Sequence, residues 1–222
     1  MHWKKRWRII MKIIKPDVFV DFEGRTGDDI LRKIEKCGRI CYRSEPTGDP
    51  GDFVRRLIAR GHESVLEHVS VTAYITCDRG VTHELVRHRV ASYSQESTRY
   101  CNYCNGKFGC EIAVIEPLYL KPGSRAWDLW EEACEYAEYK YMAMRDRGCT
   151  PQEARAVLPN STAAKIAMTA NLREWRHILK LRTSKAAHPQ MQEIANMILS
   201  QMKEHVPVVF DDVKEAEQHG SN

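Results

Sequence analysis

The sequence predicts an α+β fold, a mixed or antiparallel β-sheet packed by helices, formed as a single domain over residues 1–222. Three observations lead there. Two segments, 69–77 and 164–170, alternate apolar and polar residues with the period of a half-buried strand. Longer segments repeat apolar residues every three or four positions, as amphipathic helices do. No internal repeat, low-complexity tract or long linker divides the chain.

In chain order, Ile13-Ile14 and Val18-Phe19-Val20 are β-prone and interrupted by Pro16-Asp17, which predicts a pair of edge strands. Thr26, Asp28 and Asp29 offer capping side chains before Ile30, Leu31, Ile34 and Cys37, which repeat at helical spacing. A second helix is expected over 52–60, stopped by Gly61. Along 69–77, Val69, Val71, Ala73, Ile75 and Cys77 form the apolar face of a strand. Asp78-Arg79-Gly80 is read as a turn and 81–88 as a short helix. The longest helix is expected over about 124–147, with Trp127, Trp130, Cys134, Ala137, Tyr141 and Met144 as its apolar stripe. Gly148 ends it, and Pro151 opens a shorter helix through 157. Ala164, Ile166, Met168 and Ala170 predict another strand. Asn171 caps a helix reaching 181, and Pro189 starts the last, with Met191, Ile194, Ala195, Ile198 and Met202 inward.

Composition narrows the function classes. A chain of 222 residues with 43% hydrophobic and 29% charged residues can bury a full core. Its net charge of +4 leaves no large basic field of the kind nucleic-acid-binding domains present. The densest positive run, Lys4-Lys5-Arg6-Trp7-Arg8, is short and expected to lie in solvent outside the packed domain. No stretch approaches the ~20 apolar residues a membrane helix needs. Lys12 and Lys15 interrupt the apolar N-terminal segment, so a secretory leader is not expected and the cytoplasm is.

Eight cysteines in such a chain are expected as free thiols. Cys101-x-x-Cys104 with Cys110 could pinch a metal, but a closed site needs a fourth ligand, which no second CxxC or nearby HxxxH supplies. No metal is therefore expected. No GxGxxG follows a strand, so a Rossmann crevice is not expected either.

The stretch that carries chemistry runs from Arg87-His88-Arg89 through Ser92, Gln95, Glu96, Ser97, Thr98, Arg99 and Tyr100. Guanidinium groups fork onto phosphate oxygens, and hydroxyls complete such a cage. The segment reads as an anion site able to serve a nucleotide or dinucleotide.

The pattern of RHR, seven residues, then Ser97 is similar to the signature of the flavin-dependent thymidylate synthases. Gly61-His62-Glu63-Ser64-Val65-Leu66-Glu67-His68 resembles that family's GHxSxxEH segment, and Ala154-Arg155-Ala156-Val157-Leu158-Pro159 its ARxxLP helix end. Asn171 to Arg182 and Gln190-x-x-Glu193-Ile194 follow in the family's order, so the resemblance covers most of 50–205.

The resemblance implies reductive methylation of dUMP to dTMP, with FAD as cofactor, 5,10-methylenetetrahydrofolate as carbon donor and NADPH as reductant. It implies a homotetramer with FAD in a groove between subunits, and no nucleic-acid or membrane partner. Position by position, it places Ser64, Arg87, His88, Arg89, Gln95, Asn171, Arg173 and His177 at the flavin. Glu84, Leu85, Val86, Arg87, Gln95, Glu96, Ser97, Thr98, Arg99 and Arg155 line the dUMP pocket, with Ser97, Arg99 and Arg155 on the phosphate. Arg182 faces the uracil ring, and His62 lies beside the isoalloxazine where folate and nicotinamide stack in turn. Glu84 stands where members often carry Gln, and the spacing after Arg182 is longer than in some relatives. The family activates the ring without a cysteine nucleophile, which gives Arg182 the task of stabilising negative charge on it.

Overall fold

The computed structural model describes residues 11–99 and 112–214. The basic run at 4–8 and the Cys101, Cys104 and Cys110 loop lie outside them. The described chain divides into two compact units. One comprises the residues up to Asp17, Thr76–Leu85 and Gln95–Ile166; the other Val18–Ile75, Val86–Ser94 and the residues from Ala167 onward.

In the first unit, β1 (Lys12–Ile14) pairs in parallel with β5 (Ala113–Ile115), Lys12 opposite Ala113 and Ile14 opposite Ile115. The long helix α4 (Arg125–Asp146) starts at Ser124, whose hydroxyl accepts from the Trp127 amide. It buries Cys134 and Tyr141 against Ile112, Val114 and Ala154, with Ile13, Trp130 and Leu158 around them. Gly148 then takes φ +88°, a left-handed turn that glycine enters without steric cost. The short α5 (Pro151–Ala154) follows. Thr150 and Glu153 cap it reciprocally, each side chain taking the other's backbone amide.

In the second unit, α1 (Gly27–Tyr42) carries the same device at Thr26 and Asp29 and packs on α2 (Pro50–Ala59). Beyond α2 a 3-10 turn spans Glu63–His68. Helix α6 (Leu172–Arg182) packs on that turn and on α7 (Pro189–His205), and α8 (Pro207–Phe210) closes on α7 and α2. Trp175, fully buried, donates its indole N–H to Val71 O at 3.2 Å, a polar tie within an otherwise apolar core.

The four-stranded sheet has the order β2-β3-β6-β4, with β2 (Asp17–Asp21), β3 (Ser70–Asp78), β6 (Ala163–Asn171) and β4 (Ser92–Gln95). The Thr72 and Thr169 hydroxyls meet at 2.7 Å, and the Leu172 amide donates to Val69 O. One strand advances as the other retreats, so β3 and β6 run antiparallel. With the parallel β1–β5 pair, the protein is α+β with mixed pairing, as the sequence predicts. Among the described residues no helix is long and apolar enough to cross a membrane.

Two expectations are corrected. β1 and β2 do not pair with each other but join different sheets. Only Lys15-Pro16 separates them; a type I′ hairpin needs positive φ at both residues, which proline cannot adopt, and a type II′ hairpin needs it at Lys15, a position that favours glycine. Asp78-Arg79-Gly80 is not a turn: α3 (Arg79–Leu85) begins directly, because Asp78 Oδ1 accepts from the Val81 amide at 2.7 Å and caps it. That helix ends at Leu85, which leaves Arg87-His88-Arg89 in the connection to β4. The strands β4 and β5, the 3-10 turn and α8 had no clear sequence signal.

Candidate active site

In the first unit, the segment after β4 is held beside α5. Arg99 donates from Nε to Gln152 Oε1 at 3.0 Å, and its amide meets Ser97 Oγ at 3.3 Å. Arg155 Nη1 approaches the buried Thr98 hydroxyl at 3.4 Å. Ser97, Thr98, Arg99 and Arg155, predicted from separate motifs, thus come together, and both arginines are exposed. Two forked guanidiniums with hydroxyls nearby suit a phosphate dianion. Gln95 is turned to the Thr82 hydroxyl at 3.1 Å, and Glu96 is locked onto Lys165, whose carbonyl accepts from the Glu96 amide at 2.9 Å. Glu84 is half-buried, whereas the Leu85 side chain is fully buried in the core.

In the second unit, Asn171 Oδ1 accepts from the Glu174 amide at 2.8 Å and starts α6. Spacing then places Arg173, Arg176, His177 and Lys180 along one face. They line an open groove of about 590 Å³ with Glu63, Glu67 and Val90. Arg173 Nη1 pairs with Glu67 Oε1 at 2.5 Å. Arg176 is 1% exposed, and both its Nη groups are engaged while its buried Nε finds no hydrogen-bond partner among the described residues. Arg176 meets Glu63 at 3.0 Å and Asp212 at 2.5 Å and 2.7 Å, and also donates to Val209 O. Lys180 meets Asp212 at 3.4 Å. Sequence reasoning singled out Arg173 and His177 but missed Arg176, Lys180, Glu63 and Glu67. The three-and-four spacing from Arg173 was the available signal for the two cations.

Within Arg87-His88-Arg89 the three side chains diverge. Arg87, Arg89 and Val86 are exposed, whereas His88 is 7% exposed. Arg182 Nε donates to His88 Nε2 at 3.0 Å, and Tyr93 OH donates to the His88 carbonyl at 2.6 Å. Burial, then the neighbouring Arg182 and His177, push the imidazole down to about 4. His88 is therefore neutral near pH 7, with its proton on Nδ1 and its Nε2 lone pair toward Arg182. Two residues predicted for different ligands are thus each other's partners. Ser64 is exposed on the 3-10 turn, and His62, just before it, meets the Tyr42 hydroxyl through Nδ1 at 3.2 Å.

The buried thiols are the wrong species for a nucleophile. Burial pushes Cys77 far above the usual thiol range and Cys134 up to about 11, so both stay protonated at neutral pH.

Comparison with known proteins agrees with this chemistry. The profile of the thymidylate synthase complementing protein family, Thy1, matches residues 25–208. The chain is 34% identical over 205 residues to a flavin-dependent thymidylate synthase of Corynebacterium aurimucosum, covering 86% of this chain and 82% of that protein. It is 37% identical over 194 residues to the flavin-dependent thymidylate synthase of Mycobacterium tuberculosis, covering 81% and 78%. A crystal structure of the UMP/dUMP methylase PolB from Streptomyces cacaoi, bound with 5-Br dUMP, superposes with a TM-score of 0.72 at 25% identity over 90% of this chain and 95% of that one. A profile spanning most of the sequence and relatives above 30% identity at similar length leave one assignment: the chain belongs to the thymidylate synthase complementing protein family, the flavin-dependent thymidylate synthases.

Proposed function

We propose that this protein converts dUMP to dTMP as a flavin-dependent thymidylate synthase. In this reading FAD is the bound cofactor, 5,10-methylenetetrahydrofolate the carbon donor and NADPH the reductant. The single domain would work as a cytoplasmic homotetramer. The observation that carries the substrate reading is the cluster of Ser97, Thr98, Arg99 and Arg155, whose donors suit a nucleotide monophosphate.

The groove along α6 suits a flavin dinucleotide in donor chemistry and in scale, since ligand clefts run to roughly 300–1,000 Å³. Asn171, Arg173, His177 and Lys180 would hold that group, with exposed Arg87 and Arg89 adding guanidiniums for its phosphates. When bound, FAD supplies the hydride that completes the methyl group.

The chain's own residues supply charge and position. Arg99, Arg155 and Ser97 would fix the nucleotide by its phosphate. Arg182 would face the uracil ring, where a guanidinium stabilises negative charge as C5 becomes nucleophilic. Neutral His88 directs it: an acceptor 3.0 Å from Nε fixes the plane of the fork before substrate arrives. No step requires a thiolate.

The test separates binding from chemistry at Arg182. Arg182→Ala is expected to keep flavin and to be reduced by NADPH, yet to form almost no dTMP at saturating dUMP. Steady-state dTMP formation beside separate flavin-reduction kinetics measures this. Normal turnover at raised dUMP would leave Arg182 a binding residue and refute the activation step.

A further inference from the structure

A second hollow in the same unit has a composition the proposed reaction has not yet used. It measures about 140 Å³ and is lined by Tyr42, Ser44, Phe53, Arg56, Leu57 and Arg60. Its wall is rigid. The Arg39 guanidinium lies 4.3 Å over the Phe53 ring, bonds Glu35 Oε1 at 2.9 Å and 2.7 Å, and reaches Ser44 Oγ at 3.3 Å.

Arg56 and Arg60 stand apart from the other arginines of these two helices. Arg32 is paired with Asp28, Arg39 with Glu35 and Arg55 with Asp52. Among the described residues, Arg56 and Arg60 have no carboxylate within ion-pair reach. They sit one helical turn apart, where like charges repel. Two uncompensated guanidiniums on one rim, a hydroxyl from Ser44, and an apolar floor of Phe53 and Leu57 together describe a receptor for a ring that carries negative charge. An apolar cavity of ~150 Å³ admits one benzene ring, so the hollow has room for the ring while the charges stay at the arginine rim. Tyr42 connects it to chemistry, since the same side chain that lines the hollow meets His62 at 3.2 Å.

We propose that this hollow receives the anionic, ring-bearing end of a co-substrate: an aryl or heteroaryl ring followed by a dianionic group. The inference rests on the proposed function, which offers two sources of that chemistry. One is the p-aminobenzoylglutamate end of the folate; the other is the 2′-phosphoadenosine end of NADPH. In either case the reacting end extends toward His62, and Arg56 and Arg60 hold the charged end by forked hydrogen bonds.

The test is calorimetric titration of the flavin-loaded protein with p-aminobenzoyl-L-glutamate and with 2′,5′-ADP, beside uncharged p-aminobenzamide and adenosine. At least one charged probe should bind, its uncharged counterpart at least tenfold more weakly. Arg56→Ala and Arg60→Ala should each weaken that probe about tenfold or more, with loss at high salt. Arg55→Ala, a paired arginine on the same helix, should leave affinity within about twofold, as expected of a surface ion pair. The probe that binds identifies the co-substrate, and the KM of that co-substrate should rise in the same two variants. Silence of both probes, or binding indifferent to both arginines, in a protein that still makes dTMP would overturn the hollow's assignment alone. A protein that makes no dTMP would overturn the proposed function instead.

Discussion

Replacing His88 with Gln should remove a specific part of the protein's acid sensitivity. Arg182 Nε donates to His88 Nε2, so the folded state requires a lone pair there. Protonation would set an imidazolium against a guanidinium inside a site that is 7% exposed. An ordinary imidazole titrates near 6.5, and this one near 4. At about 1.4 kcal/mol for each tenfold change in proton affinity, the contribution is about 3 kcal/mol. Its sign is fixed by proton counting. Between pH 6.5 and 4 the unfolded chain binds the proton and the folded chain does not. The stabilisation is therefore complete above about 6.5 and is lost as pH falls through about 4. Gln keeps an acceptor for Arg182 but cannot titrate. Urea unfolding at pH 7, 6, 5 and 4 should show wild type losing about 3 kcal/mol more than His88→Gln. Other groups titrate equally in both proteins and cancel in the difference. Parallel stability curves, or an imidazole resonance from His88 with a midpoint near 6.5, would refute the reasoning.

Arg176→Ala removes a buried guanidinium from Glu63 and Asp212 and should cost on the order of 3 kcal/mol in urea unfolding; a change within 0.5 kcal/mol, roughly the surface-substitution range, would show that the network adds nothing. Cys77→Ala and Cys134→Ala, tested as soluble flavin-loaded proteins, should retain substantial dTMP formation. Abolished turnover in either would name a cysteine nucleophile. Arg155→Ala loses one charge-assisted contact worth about 1.5–3 kcal/mol, so the dUMP KM should rise roughly tenfold to a hundredfold with kcat little changed. A fall in kcat at unchanged KM would move Arg155 from phosphate binding to the chemical step.

The fold was legible where one local signal was strong and uncontested. Thr26, Ser124, Thr150 and Asn171 each cap the helix expected to follow. Val71, Ala73, Ile75 and Cys77, and Ala164, Ile166, Met168 and Ala170, are buried as period two requires. Legibility failed where the deciding partner was distant in sequence. β1 is only three residues long, and nothing in Lys12-Ile13-Ile14 announces that it pairs with Ala113–Ile115. At Asp78-Arg79-Gly80 two chemistries compete, since an Asp before a Gly suits a turn as well as a cap. The structure resolves it through one side-chain hydrogen bond to Val81.

The site shows the same division, with consequences for its chemistry. The family resemblance singled out Ser97, Arg99 and Arg155, and the folded chain places them near one another. Charge could not be read in the same way. As a string, Arg87-His88-Arg89 offers three potential cations and suggests a uniform anion trap. In the folded protein only the outer two are exposed cations; the middle one is buried, neutral and turned toward Arg182, ninety-four residues away. A lone pair that orients a remote guanidinium is a different instrument from a third positive charge. It holds Arg182 in one plane without adding an anion to compete with the charge that develops on the uracil ring. An Asp or Glu in place of His88 would hold Arg182 as firmly but would neutralise the field the proposed chemistry needs. Histidine in the low-polarity interior can accept the bond and remain uncharged, which is a physical reason for an imidazole between two arginines.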